Sequence, residues 1–136
     1  MCHSTPVVPF RLTLEPGSPV HEQVAFAAKK AIVSGKFRQG DAFPSVRALS
    51  KAMKIHANTA QKVVAQLTAE GLLEVRPGIG TVVALAPAAT RAERGRLLGR
   101  EVEQLTVEAM KLGLALEDLQ AAVCLHWRRL GGEEEA

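Results

Sequence analysis

A mostly α-helical fold with one small β-hairpin is predicted for this 136-residue chain by three observations. Apolar residues recur at helical spacing in successive stretches between residues 19 and 70, which calls for helices packed on a shared core. The run Arg76-Pro77-Gly78-Ile79-Gly80 places Pro and two Gly between β-prone segments, which marks a hairpin turn. After Pro87 a narrow leucine-rich seam begins, suited to pairing with another helix.

The first element is a short strand. Phe10, Leu12 and Leu14 alternate with Arg11 and Thr13, a period of two that reads as a strand with one buried face. Ser18 and Pro19 then supply an N-cap and a first helical residue. Val20, Val24, Ala27 and Ala31 recur at helical spacing, and Gly35 ends the pattern, giving a first helix over residues 19–34. Ser45 can cap a short second helix carrying Val46, Leu49 and Met53 on one side. In the third helix, at 100° per residue, Ala60, Val63, Val64 and Leu67 cluster on one face. Asn58, Gln61, Lys62 and Ala65 cluster on the opposite face, and no acid occurs between Ala57 and Ala69. Gly71 stops this helix, and Leu73, Val75, Val82 and Ala84 are available for pairing across the hairpin. Strand, three helices and hairpin make a winged helix-turn-helix.

The rest of the chain reads as a two-helix dimerisation segment. "APAAT" (86–90) is a linker. Leu98, Val102, Leu105, Ala109 and Leu112 repeat at intervals of four and three, and Gly113 breaks the run. A further helix over residues 116–130 has Glu117 and Asp118 in its first turn and Arg128 and Arg129 in its last, as the helix dipole favours. Leu119, Val123 and Trp127 join the seam as dimerisation residues, Trp127 being hard to bury on a two-helix tail otherwise. The expected organisation is therefore residues 1–85 as a winged helix-turn-helix DNA-binding domain with a core at 10–84, and residues 86–136 as a helical dimerisation tail whose last residues, 132–136, are disordered.

Composition narrows the function. A hydrophobic content of 47% excludes wholesale disorder, and no apolar run approaches the roughly 20 residues needed to cross a bilayer. The N-terminus "MCHSTPVVPF" lacks a basic region followed by an apolar one, so it does not read as a signal peptide, and a cytoplasmic location is expected. Cys2 and Cys124, at opposite ends of the chain, read as free thiols. The net charge of +3 divides unevenly: residues 1–85 hold ten Lys and Arg against five Asp and Glu, and residues 86–136 hold seven against nine. A basic partner surface belongs to the first segment.

The run "GDAFPSVRALSKAMKIHANTAQKVVAQLTAEGLLEVRPGIGTVV" resembles the DNA-binding domain of the GntR family of bacterial transcription regulators, and "SPVHEQVAFAAKKAIVSGKF" resembles the helix preceding it. The match spans residues 10–84, with Pro44-Ser45-x-Arg47, Asn58-Thr59, Glu70-Gly71 and Gly78-x-Gly80-Thr81 in order and at family spacing. The short tail with "EAMKLGLALEDL" is similar to the YtrA-type branch. Some fifty residues cannot build the large effector or aminotransferase domain found elsewhere in the family. The resemblance implies a homodimeric repressor that binds double-stranded DNA, often at operons for membrane transporters.

It also implies site roles. Arg47 corresponds to an Arg that reads guanine, and its guanidinium offers a forked donor pair matching guanine O6 and N7. Asn58, Thr59, Gln61 and Lys62 form the groove-facing set on the third helix: amides for adenine or phosphate, a hydroxyl and methyl for phosphate and thymine, and an ammonium for phosphate. Ser45 and His56, the caps of the second and third helices, join the DNA-facing set. Arg76 is read as a phosphate contact at the base of the wing. Gly78 and Gly80 have two coexisting readings, tight hairpin geometry and close approach of the wing backbone to DNA. Two positions depart from the family pattern: His56 stands where Ser or Asn usually caps, and Ile79 stands at a usually polar wing tip.

No catalytic triad, paired carboxylates, phosphate loop or nucleotide fingerprint is present, so no enzyme and no cofactor are expected. Cys124 and His126 on a mostly apolar helix read as packing, and no metal is expected. The alternative function is a winged-helix module that binds proteins without reading DNA. A fragment of an aminotransferase-type regulator is a third reading, disfavoured by the end at "GGEEEA". A small-molecule effector between tail and DNA-binding domain is compatible with the pattern, without a residue set to identify it.

Overall fold

The computed structural model describes residues 8, 10, 12–84 and 89–131 and divides into two compact units, 1–86 and 87–136. The expected disordered end at 132–136, Cys2 and most of the linker lie outside the described residues.

The first unit contains α1 (Val20–Val33), α2 (Val46–Met53), α3 (Ala57–Ala69) and an antiparallel hairpin of β1 (Leu73–Arg76) and β2 (Gly80–Val83). Each helix contributes one apolar stripe to a common core: Val24, Ala27, Ala28 and Ala31 from α1, Leu49 from α2, and Ala60, Val63 and Leu67 from α3. Val24, Leu49, Val63 and Leu67 are wholly shielded from solvent. Burying each such side chain contributes roughly 1.5–3 kcal/mol. The small residues along α1 let α3 pack directly against it. Phe37 and Phe43 from the connection after α1 close the core with Phe10, the Phe37 ring lying 5.3 Å from Phe43 and 6.5 Å from Phe10 between centroids.

Two local expectations need correction. Phe10 is buried, but it and the described residues from Leu12 to Leu14 are not a strand, and Leu14 is exposed. The free edge of the hairpin is taken instead by the loop before α2. Phe43 N–H donates to the Thr81 carbonyl (2.9 Å), Val83 N–H to Asp41 (2.8 Å) and Gly40 N–H to Val83 (2.8 Å). A single bridge, Ala42 to Val82, results, and the edge pairs there rather than with the N-terminal segment. Ser18 likewise does not cap α1. Pro19 occupies the cap position without a side-chain bond, and Gln23 folds back to Glu15 and Ser18 to hold the entering chain.

Gly71, at φ +81°, ends α3: Leu72 N–H donates to Leu67 and Gly71 N–H to Thr68, which turns the chain directly into β1. The register pairs Leu73 with Val83, both buried, and Val75 with Thr81; Ala84 N–H donates to the Leu72 carbonyl just beyond the ladder.

An ion pair ties α1 to the end of α3, with Lys29 Nζ 2.8 Å from Glu70 Oε1, while Gln66 donates to the other carboxylate oxygen at 3.2 Å. The Lys29 hydrogen bond chiefly, opposed by partial burial and aided by Gln66, holds the Glu70 carboxyl below its ordinary value. A lowered folded-state value means stability that is present above the unfolded value and lost as pH falls through the folded one. Both partners are more than a third exposed or close to it, so the pair is worth only about 0.2–1 kcal/mol. Lys29→Met is therefore expected to lower the urea midpoint slightly at pH 7 and by less at pH 3. An equal loss at both values would refute this assignment.

The second unit begins at α4 (Arg91–Arg96), where Thr90 and Glu93 cap reciprocally: Glu93 N–H donates to Thr90 Oγ1 (3.1 Å) and Thr90 N–H to Glu93 Oε1 (2.8 Å). A π-helical turn (Leu97–Glu101) joins it to α5 (Val102–Lys111), and α6 (Leu116–Leu130) comes after a turn at Gly113. Asp118 accepts the Ala115 N–H at 2.9 Å at the start of α6. None of the described helices is long and apolar enough to cross a membrane.

Candidate nucleic-acid interface

Ser45 begins the site. Its hydroxyl accepts the Ala48 N–H at 3.1 Å, fixing the first turn of α2, and Pro44 beside it is buried. Arg47 is exposed in that first turn, where no acidic residue accompanies it. The helix dipole disfavours a cation there by a few tenths of a kcal/mol or more.

The turn from α2 to α3 is closed by a left-handed residue, Lys54, at φ 57°. Ile55 N–H donates to the Ser50 carbonyl (3.0 Å), and the Ser50 hydroxyl donates back to the Ile55 carbonyl (2.6 Å). His56, standing where Ser or Asn usually caps, makes the capping bond: its Nδ1 accepts the Asn58 N–H at 3.1 Å. Only a ring with Nδ1 unprotonated can accept in this way.

Along α3 the core face carries Ala60, Val63 and Leu67, with Val64 half-buried beside them. Asn58, Gln61 and Lys62 are exposed together on the opposite face, and Thr59 lies half-buried at its margin. The helix thus offers amides and an ammonium, with no carboxylate among residues 57–69, to any approaching surface.

In the wing, Ile79 N–H donates to the Arg76 carbonyl (3.0 Å) with Pro77 and Gly78 between them. Pro77 followed by Gly78 at φ +79° is a type II turn, which requires glycine at that place. Gly80, at φ +115°, faces open space where a Cβ would stand, so conformation rather than crowding demands it. Ile79 protrudes at the tip, 70% exposed. Arg76 Nε is 2.8 Å from Glu74 Oε2, so part of its charge is already answered within the strand.

The profile described as "Bacterial regulatory proteins, gntR family" matches residues 20–83. The repressor YtrA of Bacillus subtilis (strain 168), an HTH-type transcriptional repressor, is 30% identical over 103 residues, covering 75% of this chain and 79% of its own length. The chain belongs to the GntR family. Its fold is also that of a transcriptional antiterminator from Listeria monocytogenes EGD-e (TM-score 0.80, 17% identity, 94% of this chain and 98% of that one). YtrA from Sulfolobus acidocaldarius, a GntR-family transcription factor, superposes with a TM-score of 0.56 at 24% identity, over 70% of this chain and 98% of its own. The regulator is thus a GntR-family transcription regulator with a winged-helix DNA-binding domain, and the relatives it matches are transcription regulators.

The tail residues divide. Val102 and Leu105 of α5 face Leu116, Leu119, Val123 and Trp127 of α6 along an apolar groove of about 770 Å³. Leu98, within the π-helical turn, lines a second depression that Val102 shares with the first. Ala109 is buried and Leu112 is exposed. Cys124 is a free, exposed thiol, and no group of metal-ligating side chains occurs among the described residues.

Three features escape a reading by periodicity. The Thr90-x-x-Glu93 capping box, which the sequence does signal, starts a helix at the last residue of "APAAT". The edge pairing at Asp41–Phe43 has no local signal, since it depends on where β2 lies. Lys54 occupies a left-handed cap, where glycine is the ordinary choice.

Proposed function

We propose that this regulator represses transcription as a homodimer that reads an inverted-repeat operator in the cytoplasm. The observation that carries the reading is α3, whose solvent face holds Asn58, Gln61 and Lys62 without a carboxylate while its other face is locked in the core. Such a helix can enter a major groove, with Thr59 at the margin against the backbone. Arg47 supplies a guanine-reading fork from the start of α2. Ser45 and His56 hold the two helix starts in place, and the Gly78–Gly80 turn brings the wing backbone close to a neighbouring groove or phosphate. Arg76 contacts phosphate once released from Glu74.

Repression fits the role of the Bacillus subtilis relative. Two copies related by a twofold axis would place their α3 helices in successive major grooves, about 10 base pairs apart or a multiple of that. The operon served would then encode a membrane transporter, as the branch resemblance implies.

Arg47→Ala is expected to weaken binding to DNA from upstream of its own gene by about 5- to 150-fold per half-site, the loss of one bidentate base contact in each. Preference over random duplex should relax at the same time, with the fold unchanged by circular dichroism. A gel-shift titration in which the intact regulator showed no preference over random DNA at any salt would overturn the proposal.

A further inference from the structure

Among the described residues, Lys54 is the only one other than glycine with positive φ, and the strain falls at an exposed turn that needs no lysine for packing. A side chain bearing Cβ is disfavoured in this conformation, and glycine or asparagine would fill it more easily. Strain retained at an exposed position points to a task for the side chain itself.

The neighbours suggest the task. Arg47 and Lys51, four residues apart, fall within about 40° of each other on the outer side of α2 at 100° per residue, and Lys54 extends the stripe past the helix end as its left-handed C-cap. All three are exposed, and Leu49 lies buried on the other side with Val46 and Met53 half-buried beside it. None of the three meets a carboxylate among the described residues, whose ion pairs are Lys29–Glu70, Arg76–Glu74 and Lys111–Glu108. The α2 sequence contains no acid. One end of this stripe is the candidate base reader Arg47, and the other lies two residues before His56, the cap of α3. Adjacent Cα atoms are 3.8 Å apart, so the Lys54 backbone lies within about 8 Å of that cap.

We propose that Lys51 and Lys54 form a phosphate-contact rail along α2, with Lys54 held in a strained conformation because its charge fixes how deeply α3 seats. This rests on the reading of α3 as the groove-entering helix. In a helix-turn-helix the first helix crosses the sugar-phosphate backbone, and a compact ammonium suits phosphate without favouring any base. The rail adds affinity and register, and specificity stays with Arg47 and α3.

The test uses the full chain with two labelled 30-base-pair duplexes, one from upstream of its own gene and one of random sequence, in fluorescence anisotropy over a salt series. Lys54→Gly and Lys54→Asn should raise the melting temperature by about 2–5 °C through relief of the left-handed strain. Both should weaken binding to the two duplexes by the same factor, about 3- to 10-fold per protomer, and reduce the slope of log affinity against log salt by about 0.9 per protomer, or about 1.8 for the dimer. Lys54→Arg should restore the slope without the stability gain, and Lys51→Ala should repeat the slope change without moving the melting temperature. Unchanged slopes in the Gly and Asn variants overturn the rail. Asn58→Ala separates the two readings: lost preference for the upstream duplex alongside unchanged Lys54 slopes refutes the rail alone. Preference retained when Asn58→Ala and Gln61→Ala are combined removes the α3 reading and the rail with it.

Discussion

Leu67→Ala is expected to destabilise the winged unit by about 2–5 kcal/mol, lowering its melting temperature by on the order of 10 °C or more. Leu67 is fully buried on the face of α3 that packs against α1 and α2, so truncation leaves a cavity at the centre of the core. Neighbours fixed in regular helices can collapse into it only in part. Gln61→Ala, six residues earlier on the exposed face, should change stability by no more than about 0.5 kcal/mol. Its loss should appear in DNA binding instead. The contrast tests whether α3 divides cleanly into a structural and a reading face. A Leu67→Ala melt within 1–2 °C of the parent, or a Gln61→Ala melt far below it, would show that the division is drawn in the wrong place.

The second large effect concerns the tail. Val102, Leu105, Leu116, Val123 and Trp127 all expose more than a third of their surface, and Trp127 exposes 77%. Leu105→Asp combined with Trp127→Ala is expected to convert a dimer into a monomer, read by light scattering at micromolar concentration. Operator affinity should fall by about 10²- to 10⁴-fold, because the second half-site would lose its effective concentration. Binding to an isolated half-site should stay as it was, and the melt of the winged unit should persist, which separates lost pairing from lost folding. A parent protein that is monomeric at tens of micromolar would remove the dimer from the proposed function.

Much of the site is legible in the residues alone. Helical spacing by itself separates Val63 and Leu67 from Asn58, Gln61 and Lys62, because a period of 3.6 residues leaves only one arrangement that buries the apolar set. The Pro-Gly pair in the wing fixes its turn, since few conformations accept Pro followed by a residue at positive φ. Ser45 is readable as a cap because its hydroxyl bonds within four residues. The period-two pattern at Phe10–Leu14 misleads for the complementary reason. Alternation shows which side chains want burial, and it is silent on whether a sheet edge is free to receive the backbone.

The sequence by itself determined the three helices of the winged unit, their buried faces, the wing turn and the family, all of which rest on contacts within a few residues or on a recognisable run of motifs. The tertiary structure decided where non-local partners meet: the loop at Asp41–Phe43 on the edge of β2, Lys29 against Glu70, and the apolar groove between α5 and α6. It also decided the left-handed strain at Lys54 and the π-helical turn at Leu97–Glu101. Such features depend on how elements far apart in the chain constrain one another, and no local pattern of residues encodes that constraint.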